Sequence, residues 1–251
     1  MTLGIVAALH EEIADLLAEM APGARVEHVG MRDYHVGRLH GQGCVIVLAR
    51  VGKVAAAATA TALIHRFGVE QIVFTGVAGG LAHGLNVGDV VVADSLVQHD
   101  MDASPLFPRH EIPLLGRAAF SADVALRDAL AKAARDWLAQ HMASEVRPEW
   151  LSALHLGAAR VHVGQIASGD RFVSSAQEVA RLREALPNAL AVEMEGAAVA
   201  QVCHEYGVPF AVMRTLSDAA DDTAHVDFPR FLRDVASHYS HGILRQFLSA
   251  R

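Results

Sequence analysis

Cysteine is nearly absent: Cys44 and Cys203 are the only two in 251 residues, too few for a disulfide framework. Both sit in apolar runs that suit reduced, buried thiols. His204 follows Cys203, but neighbours on a helix point about 100° apart, which disfavours a Cys–His nucleophile. Basic clusters are missing as well, and 21 Lys+Arg against 28 Asp+Glu leave a formal charge of −7. That balance argues against a nucleic-acid or anionic-membrane partner. No apolar run reaches the roughly 18–20 residues needed to cross a bilayer. The longest, 54–64, holds two threonines and ends at His65-Arg66. The start, MTLGIVAALHEEIADLL, lacks a basic n-region and turns acidic at position 11, unlike a signal peptide. A cytoplasmic protein is expected.

What the chain does have is apolar material. Hydrophobic residues make up 52%, charged residues 20%, and there are only 8 prolines, which excludes disorder and supplies one large core. Short β-rich runs alternate with helical patterns. Strands are predicted at 3–8, 25–29, 34–39, 44–49, 71–75, 89–98, 161–168, 189–194 and 210–216. Helices are predicted at 11–20, 53–67, 122–140, 175–186, 196–206 and 228–248, the fourth capped by Ser174 or Ser175. Gly76-Val77-Ala78-Gly79-Gly80 reads as a tight loop and 100–120 as an excursion. With no linker and no repeat, the pattern predicts one α/β domain over 1–251 with a mixed, largely parallel sheet.

Ligands of such sheets bind beyond the carboxyl ends of strands. Those ends collect polar groups the core does not need: His10-Glu11-Glu12, the glycine loop, His99-Asp100-Asp102, Ser168-Gly169-Asp170-Arg171-Phe172, Glu193-Met194-Glu195-Gly196 and Arg214-Thr215-Leu216-Ser217-Asp218. Glu11 and Glu12 could simply face the positive end of the first helix. Glu193 and Glu195, two apart, would share one face of a strand. Arg214 inside an apolar strand needs a carboxylate, and Glu12 or Glu195 could serve. The glycine loop lacks both nucleotide-loop spacings, and the histidines lack H-E-x-x-H or C-x-x-C patterns, so no metal or phosphate-loop cofactor is expected. Several carboxylates, one buried arginine and no good nucleophile suit hydrolysis by general acid and general base.

These residues stand within longer matching segments: GIVAALHEEIADL near the start, VGKVAAA at 51–57, TGVAGGL at 75–81, VGDVVVAD at 87–94, SGDRFV at 168–173, VEMEGAAVAQVC at 192–203 and RTLSDAADD at 214–222. Through them the chain resembles, nearly end to end, the 5′-methylthioadenosine/S-adenosylhomocysteine nucleosidases of the purine nucleoside phosphorylase/uridine phosphorylase family. The resemblance implies a three-layer α/β/α fold, a nucleoside substrate, a homodimer, and no metal or cofactor. It implies that Glu12 activates water, that Arg214 orients it, and that Asp218, supported by Ser217, protonates purine N7. Glu195 would accept hydrogen bonds from the ribose hydroxyls beside Glu193 and Met194. Phe172 would stack on adenine with Val173 bonding it, Phe228 would border the sugar, and Ala78 and Gly79 would lie near the base.

Three departures stand out. Val77 replaces a hydroxyl residue frequent in relatives, Leu9 stands where methionine is frequent, and 101–116 (MDASPLFPRHEIPLLG) does not follow the familiar loop. In the family that loop helps form the 5′-substituent pocket, partly across the dimer, and Leu106, Phe107, Ile112 and Pro113 are candidate lining residues. Competing readings are a phosphorylase or futalosine-type hydrolase on the same scaffold, and a non-catalytic nucleoside binder.

Overall fold

Leu3, Ile5, Val6 and Ala7 are buried without alternation because their strand is covered on both faces. This strand, β1 (Thr2–Ala7), runs parallel to both its neighbours, β4 (Gln42–Leu48) and β5 (Gln71–Phe74). The computed structural model describes residues 2–218, 220 and 224–251. Within them the other strands are β2 (Arg25–Val29), β3 (Arg32–Leu39), β6 (Val77–Gly80), β7 (Val90–Gln98), β8 (Ala119–Ser121), β9 (Val161–Ser168), β10 (Ala189–Glu193) and β11 (Phe210–Asp218). The helices are α1 (Ala14–Met20), α2 (Lys53–Phe67), α3 (Val124–Gln140), α4 (Met142–Glu145), α5 (Pro148–Ala153), α6 (Ala176–Ala185), α7 (Gly196–Tyr206), α8 (Ala224–Phe231) and α9 (Ser237–Ser249).

The sheet runs β2-β3-β4-β1-β5-β11-β6-β10-β9-β7-β8 and mixes parallel with antiparallel pairs, as expected. It also does something no local pattern announces. Strand β7 pairs back onto β11, Met213 opposite Val92 and Thr215 opposite Val90, so β11, β6, β10, β9 and β7 close into a ring. Two apolar clusters sandwich the sheet. One gathers α1, α3 and α9 around Trp137 and Tyr239, whose rings meet edge-on at 4.8 Å. The other packs α2 and α7 around Phe74, Leu63 and Cys203. Both cysteines are buried and unpaired. These layers form the expected α/β/α arrangement.

Two local expectations are corrected. The glycine segment is not a loop from end to end: Val77–Gly80 is strand β6, hydrogen-bonded to β11 and β10 on its two sides. Ladder pairing on both edges overrides the low strand preference of glycine. The closing helix is not one uniform helix over 228–248 either. It begins at Ala224 and is interrupted by a π-helical stretch at Leu232–Ala236 before α9. Ser175 does cap α6, accepting from the Glu178 N–H at 3.3 Å. Residues 219, 221 and 222 of the RTLSDAADD segment lie outside the described residues.

Candidate active site

Strand β1 stops at Ala7, and a short 3₁₀ turn, His10–Glu12, folds the Glu12 side chain back on its own backbone. Glu12 Oε2 accepts from the N–H groups of Ala8 (2.7 Å) and Leu9 (2.8 Å), and Oε1 from that of Val77 (3.1 Å). The carboxylate is buried against Gly76, where an added Cβ would lie 2.6 Å from Oε1. Burial pushes the Glu12 carboxyl up, opposed by the Arg214 charge and the three backbone donors.

Arg214 is buried in mid-β11, and its carboxylate is Glu193, not Glu12 or Glu195 as the sequence allowed. Nη2 and Nε reach Glu193 Oε2 at 2.6 and 3.2 Å. Nη1 donates to the carbonyls of Met213 (3.0 Å) and Phe74 (3.4 Å), and the guanidinium lies 4.0 Å over the Phe74 ring. The reason is topological: β10 and β11 flank β6, which brings Glu193 and Arg214 within reach.

Glu193 and Glu195 also do not share a strand face. Strand β10 ends at Glu193, and Glu195 is already the N-cap of α7, so period-2 alternation does not reach it. Glu193 is saturated: besides Arg214 it accepts from Ser168 Oγ, the Glu195 N–H (3.2 Å) and the Gly196 N–H (2.8 Å). Glu195 accepts from the Gly52 N–H at 2.7 Å. Burial, with the Glu193 charge adding to it, raises its pKa to about 8.

The Gly52 donor is itself fixed from two strand ends, those of β7 and β9. The Lys53 N–H donates to Asp170 (2.7 Å), the Asp170 N–H to Asp100 (2.9 Å), and Lys53 Nζ to Asp100 (2.5 Å) and Gln98 (3.0 Å). His99, next to Asp100, packs its ring against Gly169, leaving no room for a Cβ there. Burial lowers the His99 pKa, so it is neutral at neutral pH.

Asp218 ends β11. Its Oδ2 accepts from Ser217 Oγ (2.7 Å) and its Oδ1 from the Ala220 N–H (2.8 Å). A cavity of about 380 Å³, within the range of small-molecule sites, brings together Glu12, Ala78, Gly79, Phe172, Val173, Glu193, Met194, Glu195, Asp218 and Phe228. The rings of Phe172 and Phe228 meet edge-on at 5.5 Å. Two of the expected residues, Arg214 and Ser217, do not line it; they stand behind Glu193 and Asp218. Of the candidates in the 101–116 loop, Leu106, Phe107, Ile112 and Pro113, none lines the cavity of the single chain.

Sequence reasoning missed Val51 and Arg171 as lining residues. Arg171 sits in the flagged SGDRFV segment and pairs with Glu178 at 2.5 Å. Val51 follows β4, whose carboxyl end was not among the strand ends singled out. Among the described residues no group of His, Cys, Asp or Glu is arranged to hold a metal ion, and no helix is long and apolar enough to cross a membrane.

A model of the phosphorylase superfamily matches residues 2–249. A 5′-methylthioadenosine/S-adenosylhomocysteine nucleosidase of Bacillus cereus (strain AH187) is 35% identical over 246 residues, 98% of this chain and 97% of that protein. The solved structure of the Neisseria meningitidis 5′-methylthioadenosine/S-adenosylhomocysteine nucleosidase with methylthio-immucillin-A superposes with a TM-score of 0.85 at 33% identity, covering 100% of this chain and 99% of that one. A futalosine hydrolase of Helicobacter pylori strain 26695 superposes with a TM-score of 0.83 at 33% identity, covering 100% and 98%.

Proposed function

The chain belongs to the phosphorylase superfamily, and from that premise we propose that it is an N-glycosyl hydrolase, splitting 5′-modified adenosines such as 5′-methylthioadenosine and S-adenosylhomocysteine into adenine and the 5′-modified ribose. The observation that favours hydrolysis over phosphorolysis is the position of Glu12. The three N–H groups that could cradle a phosphate, those of Ala8, Leu9 and Val77, are filled by its carboxylate. The adjacent cation, Arg214, is committed to Glu193. A phosphate dianion would meet a buried negative charge there, whereas a water would meet a base.

In this reading the water held by Glu12 attacks C1′ while the N9–C1′ bond breaks. The water proton passes to Glu12, and the bonding pair leaves with the purine as Asp218 protonates N7, so adenine departs neutral. Positive charge growing on the ribosyl ring is opposed by the Glu12 carboxylate, while Glu195, its pKa raised to about 8, accepts from the ribose hydroxyls. Arg214 acts from behind by fixing Glu193 and biasing Glu12 toward its ionised form. Phe172 and Val173 hold the base near Ala78 and Gly79, Met194 and Phe228 enclose the sugar, and Ser217 orients Asp218.

We further place the enzyme in the cytoplasm as a homodimer. Leu106 and Leu114, 84% and 90% exposed on the 101–116 loop, support a partner covering that surface. A futalosine-type 5′ group is the second reading, favoured by the Helicobacter neighbour. Adenine release from methylthioadenosine by the purified protein, with and without phosphate, tests the proposal. Phosphate-independent release with free methylthioribose supports it; strict phosphate dependence with a sugar 1-phosphate product overturns it.

A further inference from the structure

The cavity does not end at its lining. A second hollow, of about 780 Å³, shares Ala8, Leu9 and Val51 with it. Asp218 marks the other end, where it also lines a small separate hollow beside Gly80 and Leu85. With the base against Asp218 and the ribose at Glu195, a placement that rests on the proposed function, a 5′ substituent leaves past Leu9 and Val51 into this second hollow.

Its far wall is two turns cross-linked by arginine. Arg32 donates to the carbonyls of Gly30 (2.9 Å), Ala49 (3.3 Å) and Ala55 (3.2 Å), and Arg50 Nη2 to that of Met31 (2.5 Å). Among the described residues neither arginine has a carboxylate partner. Asp33, the acid lining the hollow, pairs with His28 at 2.8 Å. All three Arg32 nitrogens are occupied by carbonyls, whereas Arg50 Nε and Nη1 have no protein acceptor among the described residues. Arg50 is exposed and holds φ +69°, a left-handed conformation that disfavours any residue but glycine, asparagine or aspartate. In a chain of net charge −7, an arginine in that conformation with two unengaged nitrogens faces the exit path of the 5′ group.

We propose that, where the 5′ substituent enters this hollow, Arg50 receives an anionic end of it, namely a carboxylate. Nη2 carries two hydrogens, so with one kept on Met31 the planar guanidinium can still meet a carboxylate through the other together with Nε or Nη1.

The test compares adenine release from 5′-S-(3-carboxypropyl)-5′-thioadenosine with release from its carboxamide, a pair differing only in the terminal charge. In the wild type the acid is favoured about ten-fold in kcat/KM, through KM, and the preference shrinks at about 0.5 M salt. Arg50→Gly suits the backbone at φ +69° and abolishes the preference; Arg50→Lys retains part of it. An acid-to-amide ratio near one in the wild type, or a preference that survives in Arg50→Gly, overturns the assignment. Methylthioadenosine cleaved normally beside such a result leaves the proposed function standing. No adenine from methylthioadenosine overturns the function and the subsite with it.

Discussion

A methyl group at residue 76 would stand 2.6 Å from Glu12 Oε1, and Gly76 holds φ +152°, where side-chain-bearing residues are rare. Gly76→Ala is therefore expected to displace the carboxylate from its three donors. Adenine release should fall by at least about 100-fold for roughly 1–2 kcal/mol of stability. Parallel urea melts and rate assays read the two effects separately. Asp218→Asn retains the shape and removes the acid, so turnover should drop by about 10²–10⁴ while calorimetry still detects adenosine-analogue binding. Glu12→Gln should lose hydrolysis similarly, because an amide cannot take the water proton; wild-type rates in either variant would remove that residue from the chemistry. At this scale the sequence was legible where chemistry and apolar context disagree: Glu12, Glu195 and Asp218 are charges at the ends of buried strands. The partner of Arg214 was not legible, because Glu193 reaches it only through the side-by-side placement of β10 and β11 around β6.

Between elements, the decisive contact is the first turn of α2. Gly52 and Lys53 present their N–H groups to Glu195 and Asp170, and the Lys53 side chain clamps Asp100 and Gln98 at the end of β7. The ends of β7, β9 and β10 thus converge on this one turn around the Glu195 carboxylate. Lys53→Met is expected to cost about 1 kcal/mol, since the pair is only partly exposed, and to raise KM several-fold more than it lowers kcat. Lys53→Arg should recover part of the KM; an unchanged KM in Lys53→Met would mean the clamp is structural only. Lys53–Phe67 reads as a helix from periodicity alone, and α2 spans those residues. The loop before it was overlooked for a physical reason. Strands β2 to β4 read as a hairpin meander, yet β4 runs parallel to β1, so its carboxyl end and Val51 open on the site. Gly76–Gly80 misled in the opposite way, since glycine content says loop and two flanking ladders say strand.

For the whole molecule, the buried carboxylates set a pH dependence. Glu195 has its pKa raised to about 8, against an ordinary value of 4.5. Between those values the folded chain keeps a proton that the unfolded chain has released, so stability falls as pH rises through that window. Glu12, raised by burial, acts in the same direction. Unfolding free energies from urea melts at about pH 5.5 and 8.5 should therefore differ by about 1 kcal/mol or more in the wild type and by less in Glu195→Gln. An equal difference in both would mean that Glu195 ionises normally in the folded chain. The α/β class and its layers were legible in the alternation of strand and helix patterns. The ring was not, because β7 meets β11 only across more than a hundred residues, as in Val90 opposite Thr215.

That ring has a consequence during synthesis. Strand β11 pairs with β5, β6 and β7 and supplies both Arg214 and Asp218, yet it leaves the ribosome after every other described strand. Until it emerges, a nascent chain presents the unpaired edges of β5 and β7 and lacks both of those side chains. A message truncated before codon 210 would therefore yield an inactive, edge-exposed polypeptide, an aggregation hazard left to chaperones and proteases.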